Sequence, residues 1–172
     1  MMKKNILVTG LPGVGKTTLI KKLAEVLNDL NPIGFYTAEI REDTIRRGFE
    51  LIGLDGRKGL LSHIDIKSPY RVGKYKVDIK GFENFLQTIP FLNPSTRLIV
   101  IDEIGKMECY SEKFKKLLKE ILDSEKRVIA TIALKGRGTI EEIKRRPDIK
   151  LFEVRQSNRD ALSFEILSEM KL

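Results

Sequence analysis

The sequence predicts a three-layer α/β fold with a mostly parallel sheet and a β-hairpin insertion. Three observations carry that prediction. Short apolar runs alternate with segments whose apolar residues recur at helical spacing, the rhythm of strands and helices packed in layers. The run Leu98-Ile99-Val100-Ile101 is apolar throughout, which fits a central parallel strand covered on both faces. The pair Asp55-Gly56 stands between two β-rich stretches and is a strong hairpin signal.

The elements follow in chain order. Residues 5–9 form an apolar run long enough for a buried strand. Residues 16–30 place Leu19, Ile20, Leu23, Ala24 and Leu27 on one helical stripe. Residues 33–40 are β-rich. Residues 48–54 and 58–61 flank the Asp55-Gly56 turn, so 41–69 reads as a hairpin insertion. Residues 69–79 read as irregular, with a short strand around 75–77. Residues 81–89 read as a helix ending near Pro90, because the residue before a proline avoids helical angles. After the strand at 97–101, Ser111 can cap a helix over 111–124 whose Phe114, Leu117, Leu118, Ile121 and Leu122 share a stripe. Residues 127–133 are a second buried strand, and 139–146 a short helix stopped by Pro147. A strand at 149–154 and a helix at 158–170 close the chain. No internal repeat interrupts this order, and 1–172 reads as one domain large enough to bury a real core.

Composition narrows the class. The chain is 41% hydrophobic and 33% charged, a balance of globular rather than disordered proteins. No apolar run approaches the roughly 18 residues that span a bilayer. The apolar stretch after Met1, Met2, Lys3 and Lys4 is too short for a signal peptide and flows into the glycine-rich loop, so it belongs with the domain. One cysteine, Cys109, excludes an internal disulfide and fits a reducing cytoplasm; with His63 as the single histidine, a usual zinc site is excluded too. The formal charge is +8, from 32 basic and 24 acidic residues. The simpler account is that the cations solvate helix faces and neutralise a polyphosphate ligand.

The residues Gly10-Leu11-Pro12-Gly13-Val14-Gly15-Lys16-Thr17 match the phosphate-loop pattern G-x-x-x-x-G-K-[ST]. A strand precedes them and an amphipathic helix follows, which is the context the pattern needs. Glycines let the loop wrap closely, so backbone N–H groups and the helix N-terminus face the phosphates. Lys16 is then expected on the β- and γ-phosphates, the Thr17 hydroxyl on Mg²⁺, and Thr18 at the α-phosphate.

The apolar strand ends in Asp102-Glu103, at the carboxyl end where open α/β sheets place ligands. Asp102 is expected beside Thr17 in holding hydrated Mg²⁺. Glu103, if the chain turns at the strand end, can orient the attacking water. Lys106 either neutralises charge on the transferred phosphoryl group or pairs with Glu108 in solvent.

Taken as a set, Asp102-Glu103-Ile104-Gly105-Lys106-Met107-Glu108, the phosphate loop through Thr18, Arg47-Gly48-Phe49 and Asn158-Arg159-Asp160 resemble the thermophile-type nucleoside-triphosphatase family, called cancer-related nucleoside triphosphatase in animals. The resemblance covers essentially the whole chain. It implies a RecA-like P-loop fold and Mg²⁺-dependent hydrolysis of ATP, GTP, CTP and UTP without strong base preference, with NDPs slower. It carries nucleotide binding onto the P-loop and the segment from Asp102 to Cys109, and favours Glu103 as the base. The stretch after Thr131, Ile-Ala-Leu-Lys-Gly-Arg-Gly, differs from the family's Pro-containing version.

Other residues carry weaker signals. Arg159 can lie beside a nucleobase, or simply start a helix, since Ser157 and Asp160 have capping-box spacing. Glu39 is either a water-positioning carboxylate or a solvated strand end. Arg47 either approaches phosphate or, on the simpler reading, is an exposed hairpin charge, and Tyr36, Phe49 and Phe152 read as core. His63 reads as a loop residue, and Lys144-Arg145-Arg146 as a solvated helix face. Two rivals stay open: a small-molecule kinase with the 41–74 region as a lid, and a nucleic-acid-dependent ATPase. Nucleic acid is not the expected partner, because no basic stretch is interleaved with aromatics, which are 7% of residues. A cytoplasmic monomer is expected.

Overall fold

A computed structural model describes residues 3–170, so Met1 and Met2 of the N-terminal reading lie outside the described residues. The strands are β1 (Asn5–Thr9), β2 (Ile33–Glu42), β3 (Ile45–Gly53), β4 (Lys58–His63), β5 (Arg71–Val72), β6 (Tyr75–Val77), β7 (Leu98–Ile104), β8 (Arg127–Ile132) and β9 (Ile149–Glu153). The helices are α1 (Lys16–Val26), α2 (Ile79–Gln87), α3 (Glu112–Asp123), α4 (Thr139–Lys144) and α5 (Arg159–Met170). The described strands form one sheet in the order β5-β6-β4-β3-β2-β7-β8-β1-β9. The pairs β2–β7, β7–β8, β8–β1 and β1–β9 are parallel; the remainder, out to β5, are antiparallel.

The apolar run of β7 faces two cores at once. Leu98 and Val100 join Ile6, Val8 and Ile129 in the core that covers α1 and α5. Ile99 and Ile101 point the other way, with Leu7, Val128 and Ala130, against Phe82 of α2 and Phe114 and Leu118 of α3. Side chains alternate along a strand, so only a doubly covered strand can be apolar at every position. Each such fully buried side chain stabilises the fold by about 1.5–3 kcal/mol. Where β2 meets β7, Gly34 adopts φ +138, and a Cβ there would lie 1.7 Å from the Val100 carbonyl oxygen. No other residue fits that crossing.

Several boundaries differ from the sequence reading for local reasons. The α-helix after the loop ends at Val26 and gives way to a 3₁₀ turn over Asn28–Leu30, closed by Asn31 at φ 48. The helix expected from 81 starts at Ile79, because Asp78 caps it by accepting from the Gly81 N–H at 2.9 Å. Ser111 caps α3 through the Phe114 N–H at 3.0 Å. β7 continues through Asp102 and Glu103 to Ile104, with a register shift between Ile101 and Ile104. His63 ends β4 rather than lying in a loop, and its Nδ1 accepts from the Asp65 N–H at 3.2 Å. Residues 41–69 run from the last turn of β2 through β3 and β4, all hydrogen-bonded into the main sheet.

Candidate active site

The phosphate loop spans the gap between β1 and α1. Gly13 and Gly15 hold φ values of +77 and +110, backbone that side chains rarely adopt. Gly10 lies against β9: a Cβ on it would stand 2.8 Å from the Val154 carbonyl oxygen. The first turn of α1 has neither a side-chain cap nor an acidic residue. Its N–H groups are therefore free to meet an anion, and the helix dipole favours one. Lys16 Nζ folds back over the loop and donates to the carbonyls of Gly10 at 2.8 Å and Leu11 at 3.1 Å. Leu11 and Pro12 are exposed at the loop's tip, Val14 is half-buried, and Thr18 faces solvent on the first turn.

Asp102 is buried, 1% exposed, within β7, which runs on to Ile104. Thr17 Oγ1 donates to its Oδ2 at 2.7 Å, and Thr131 Oγ1, from β8, donates to its Oδ1 at 2.5 Å. The Thr37 main chain on β2 adds a third hydrogen bond. Burial pushes the Asp102 carboxyl above its ordinary value, while the Thr131, Thr17 and Thr37 bonds and nearby Lys16 pull it back. Glu103 is also pushed up, first by burial and then by the adjoining Asp102 charge, with Lys16 opposing.

Glu108 completes a carboxyl cluster. Its Oε2 accepts from the Gly105 N–H at 3.1 Å, and Gly105 lies between Glu108 and Glu103: a Cβ on it would stand 2.9 Å from Glu108 Oε2 and 3.1 Å from Glu103 Oε1. Burial, the largest cause, and the Glu103 charge raise the Glu108 carboxyl to about 8. Burial is the largest cause raising all three carboxyls, Asp102, Glu103 and Glu108. The chemistry of this donor set suits a hard cation held by a hydroxyl, a carboxylate and phosphate oxygens.

The structure brings together Gly10 to Thr17, Asp102, Glu103, Gly105 and Glu108. It separates others. Ile104 is buried in the core against α2 and α3, and Met107 packs on the same core, so both face away from the loop. Lys106 is exposed and does not pair with Glu108, which is turned inward to Gly105. Arg159 is exposed at the start of α5; the Gly10–Val154 contact puts the segment leading to it beside the phosphate loop.

Ser157 and Asp160 do not form a capping box. Asn158 organises that turn, accepting from the Arg155 N–H at 2.8 Å and donating to the Glu153 carbonyl at 2.9 Å. Glu39 lies within β2, not at its end, and is held by Arg41 and Arg46; those hydrogen bonds lower its carboxyl. Arg47 pairs with Glu42 and Asp65. Lys144 is not solvated as expected: it donates to the Leu134 carbonyl at 2.8 Å and pairs with Glu141. Arg146 grips Asp148 and Asp123. Tyr36 lies under Lys21, whose Nζ is 4.5 Å from the ring centroid. Phe49 packs edge-on to Tyr75, and Phe152 is buried.

Sequence reasoning missed Thr131. Its signal was a lone polar residue in the apolar strand Val128-Ile129-Ala130-Thr131-Ile132, on the strand that pairs with β7.

Comparison with known proteins agrees with this geometry. The family model described as NTPase matches residues 5–167. The nucleoside-triphosphatase THEP1 of Thermotoga sp. (strain RQ2) is 50% identical over 167 residues, covering 96% of this chain and 95% of the relative. The cancer-related nucleoside-triphosphatase of Homo sapiens is 40% identical over 185 residues, covering 97% and 96%. The crystal structure of THEP1 from Aquifex aeolicus superposes with a TM-score of 0.88 at 38% identity, covering 98% of this chain and 99% of that one. With the phosphate loop, the acidic strand end and nearly full-length similarity in agreement, the chain belongs to the NTPase family.

Proposed function

We propose that the protein hydrolyses the γ-phosphate of nucleoside triphosphates with Mg²⁺, taking ATP, GTP, CTP and UTP with little base preference and NDPs more slowly. The observation that carries this reading is the Thr17–Asp102 hydrogen bond of 2.7 Å, which sets the loop's hydroxyl and the buried strand-end carboxylate at one point. The names of the relatives support the reaction class. Thr17 and Asp102 are the residues that would hold Mg²⁺, which would supply neutralisation of the phosphate charge.

The chain's own residues do the rest. Backbone N–H groups of residues 13–17 and the α1 N-terminus bind the phosphates. Lys16 exchanges its two loop carbonyls for β- and γ-phosphate oxygens. Thr131 and Thr37 fix the Asp102 carboxylate, so its oxygens do not rotate away. Glu103 holds the attacking water and takes its proton. No residue of the loop reads a base, which fits a broad range. Arg159, exposed beside the loop, gives sequence-tolerant contact to a nucleobase. The protein works as a cytoplasmic monomer of one domain in this reading; among the described residues no helix is long and apolar enough to cross a membrane.

Phosphate release from each NTP and NDP, with and without Mg²⁺ and with water as sole acceptor, tests this. Release of phosphate from all four triphosphates, lost in chelator, is expected. Product formed only when an organic acceptor is added would replace hydrolysis by phosphoryl transfer; turnover that requires RNA would replace it by a nucleic-acid-dependent activity.

A further inference from the structure

A cavity of about 680 Å³ opens at Lys106, Cys109 and Tyr110, on the turn that follows β7. It lies between the turn after β7 and the loop joining β8 to α4, outside the carboxyl ends of two central strands. Its lining divides by chemistry: Lys106, Lys135 and Arg137 supply cations, while Tyr110, Cys109 and Ile140 supply a ring and apolar surface. No carboxylate lines it. Among the described residues, none of the three cations makes a side-chain hydrogen bond or ion pair. Arg46, Lys144 and Arg146, by contrast, are each matched by an acid.

Three unmatched cations around one cavity focus positive potential into it. They suit a ligand with several acceptor oxygens, and the Arg137 fork grips a phosphate at two of them. The volume falls in the ~300–1,000 Å³ range of small-molecule sites and is much larger than a phosphate ion needs. Tyr110 is already fixed, its hydroxyl donating to the Arg71 carbonyl at 2.9 Å and its ring centroid 5.3 Å from that of Tyr70. A held ring is a ready surface for the body of an organic ligand.

We infer that this cavity binds a small organic phosphate monoester, with its phosphate among Lys106, Lys135 and Arg137 and its body against Tyr110 and Ile140. Lys106 follows Gly105, which separates Glu103 from Glu108, so the bound phosphate adjoins the hydrolytic carboxyls. Only the nearness to a hydrolytic base, Glu103, rests on the proposed hydrolase reading; the binding does not.

Calorimetric titration with phenyl phosphate and with inorganic phosphate tests it, on the wild type, Lys16→Ala, and the double variant Lys135→Ala/Arg137→Ala. Both substituted residues of the double variant are exposed, and its melting temperature and basal phosphate release are expected unchanged. Phenyl phosphate is expected to bind the wild type and Lys16→Ala alike, and the double variant at least tenfold more weakly. Inorganic phosphate is expected to bind at least tenfold more weakly than phenyl phosphate. Equal affinity of the two probes would make the cavity a product-phosphate site and overturn the inference. So would binding abolished by Lys16→Ala and kept by the double variant, or no binding to the wild type at millimolar probe. Loss of ATP binding in Lys16→Ala is read separately, so failure of the nucleotide site and failure of this cavity stay distinct.

Discussion

Glu108→Gln is expected to change how stability depends on pH. The folded protein keeps the Glu108 proton until about pH 8, whereas the unfolded chain releases it near 4.5. The folded state thus binds more protons in that window, and stability falls as pH rises through it. Each unit of pH between those values removes about 1.4 kcal/mol, so at pH 7 the buried carboxyl costs about 3 kcal/mol relative to pH 4.5. Glutamine keeps an oxygen for the Gly105 N–H and cannot ionise. Urea unfolding of both proteins from pH 5 to 8.5 measures the effect. The difference in unfolding free energy between variant and wild type is expected to grow by about 4 kcal/mol over the window and level off above pH 8. Parallel curves would refute the reasoning, because they would mean that Glu108 is ionised at neutral pH despite its burial.

Three further outcomes are expected. Glu103→Gln keeps nucleotide affinity by calorimetry while steady-state phosphate release falls about 10²–10⁴-fold; unchanged turnover removes Glu103 as the base. Thr131→Val deletes the 2.5 Å bond to Asp102 at nearly constant shape and is expected to lower unfolding free energy by about 1–3 kcal/mol, read by urea titration above pH 7; an unshifted midpoint would show the bond idle. Gly34→Ala drives a methyl into the Val100 carbonyl and is expected to lose more than about 3 kcal/mol or the soluble fold itself; a wild-type melting temperature would contradict that packing.

Much of the architecture was legible because it rests on local rules. The alternating burial of β7 follows from an uninterrupted apolar run, and the phosphate loop from spaced glycines between a strand and a helix. Ser111 was readable as a cap because caps act within three residues. The rest depends on contacts distant in sequence. Thr131 and Thr37 reach Asp102 from two other strands; a lone polar residue in apolar β8 marks Thr131, but nothing within either strand names its partner. Glu108 read either as part of the nucleotide-binding segment or as the solvent partner of Lys106, and neither reading foresaw that a 3₁₀ turn over Glu108–Tyr110 folds it under Gly105. The basic run at 144–146 looked like solvent-facing charge, and two of its members instead bind a loop carbonyl and a buried aspartate.

Of the described strands β1 comes earliest in the chain, and it must wait for both neighbours. Asn5 pairs with Val128 on one side and Ile149 on the other, so most of the chain must exist before either ladder can close. Contacts this far apart in sequence slow folding, because loop-closure entropy is lost before the pairing rewards it. The phosphate loop hangs on β1, and Asp102 is held by Thr131 of the same late-arriving β8. A partial chain leaving the ribosome therefore carries the glycine-rich loop without the framework that shapes it. Nucleotide affinity is a late event in this protein's folding, and its appearance during refolding reports that the parallel half of the sheet has closed.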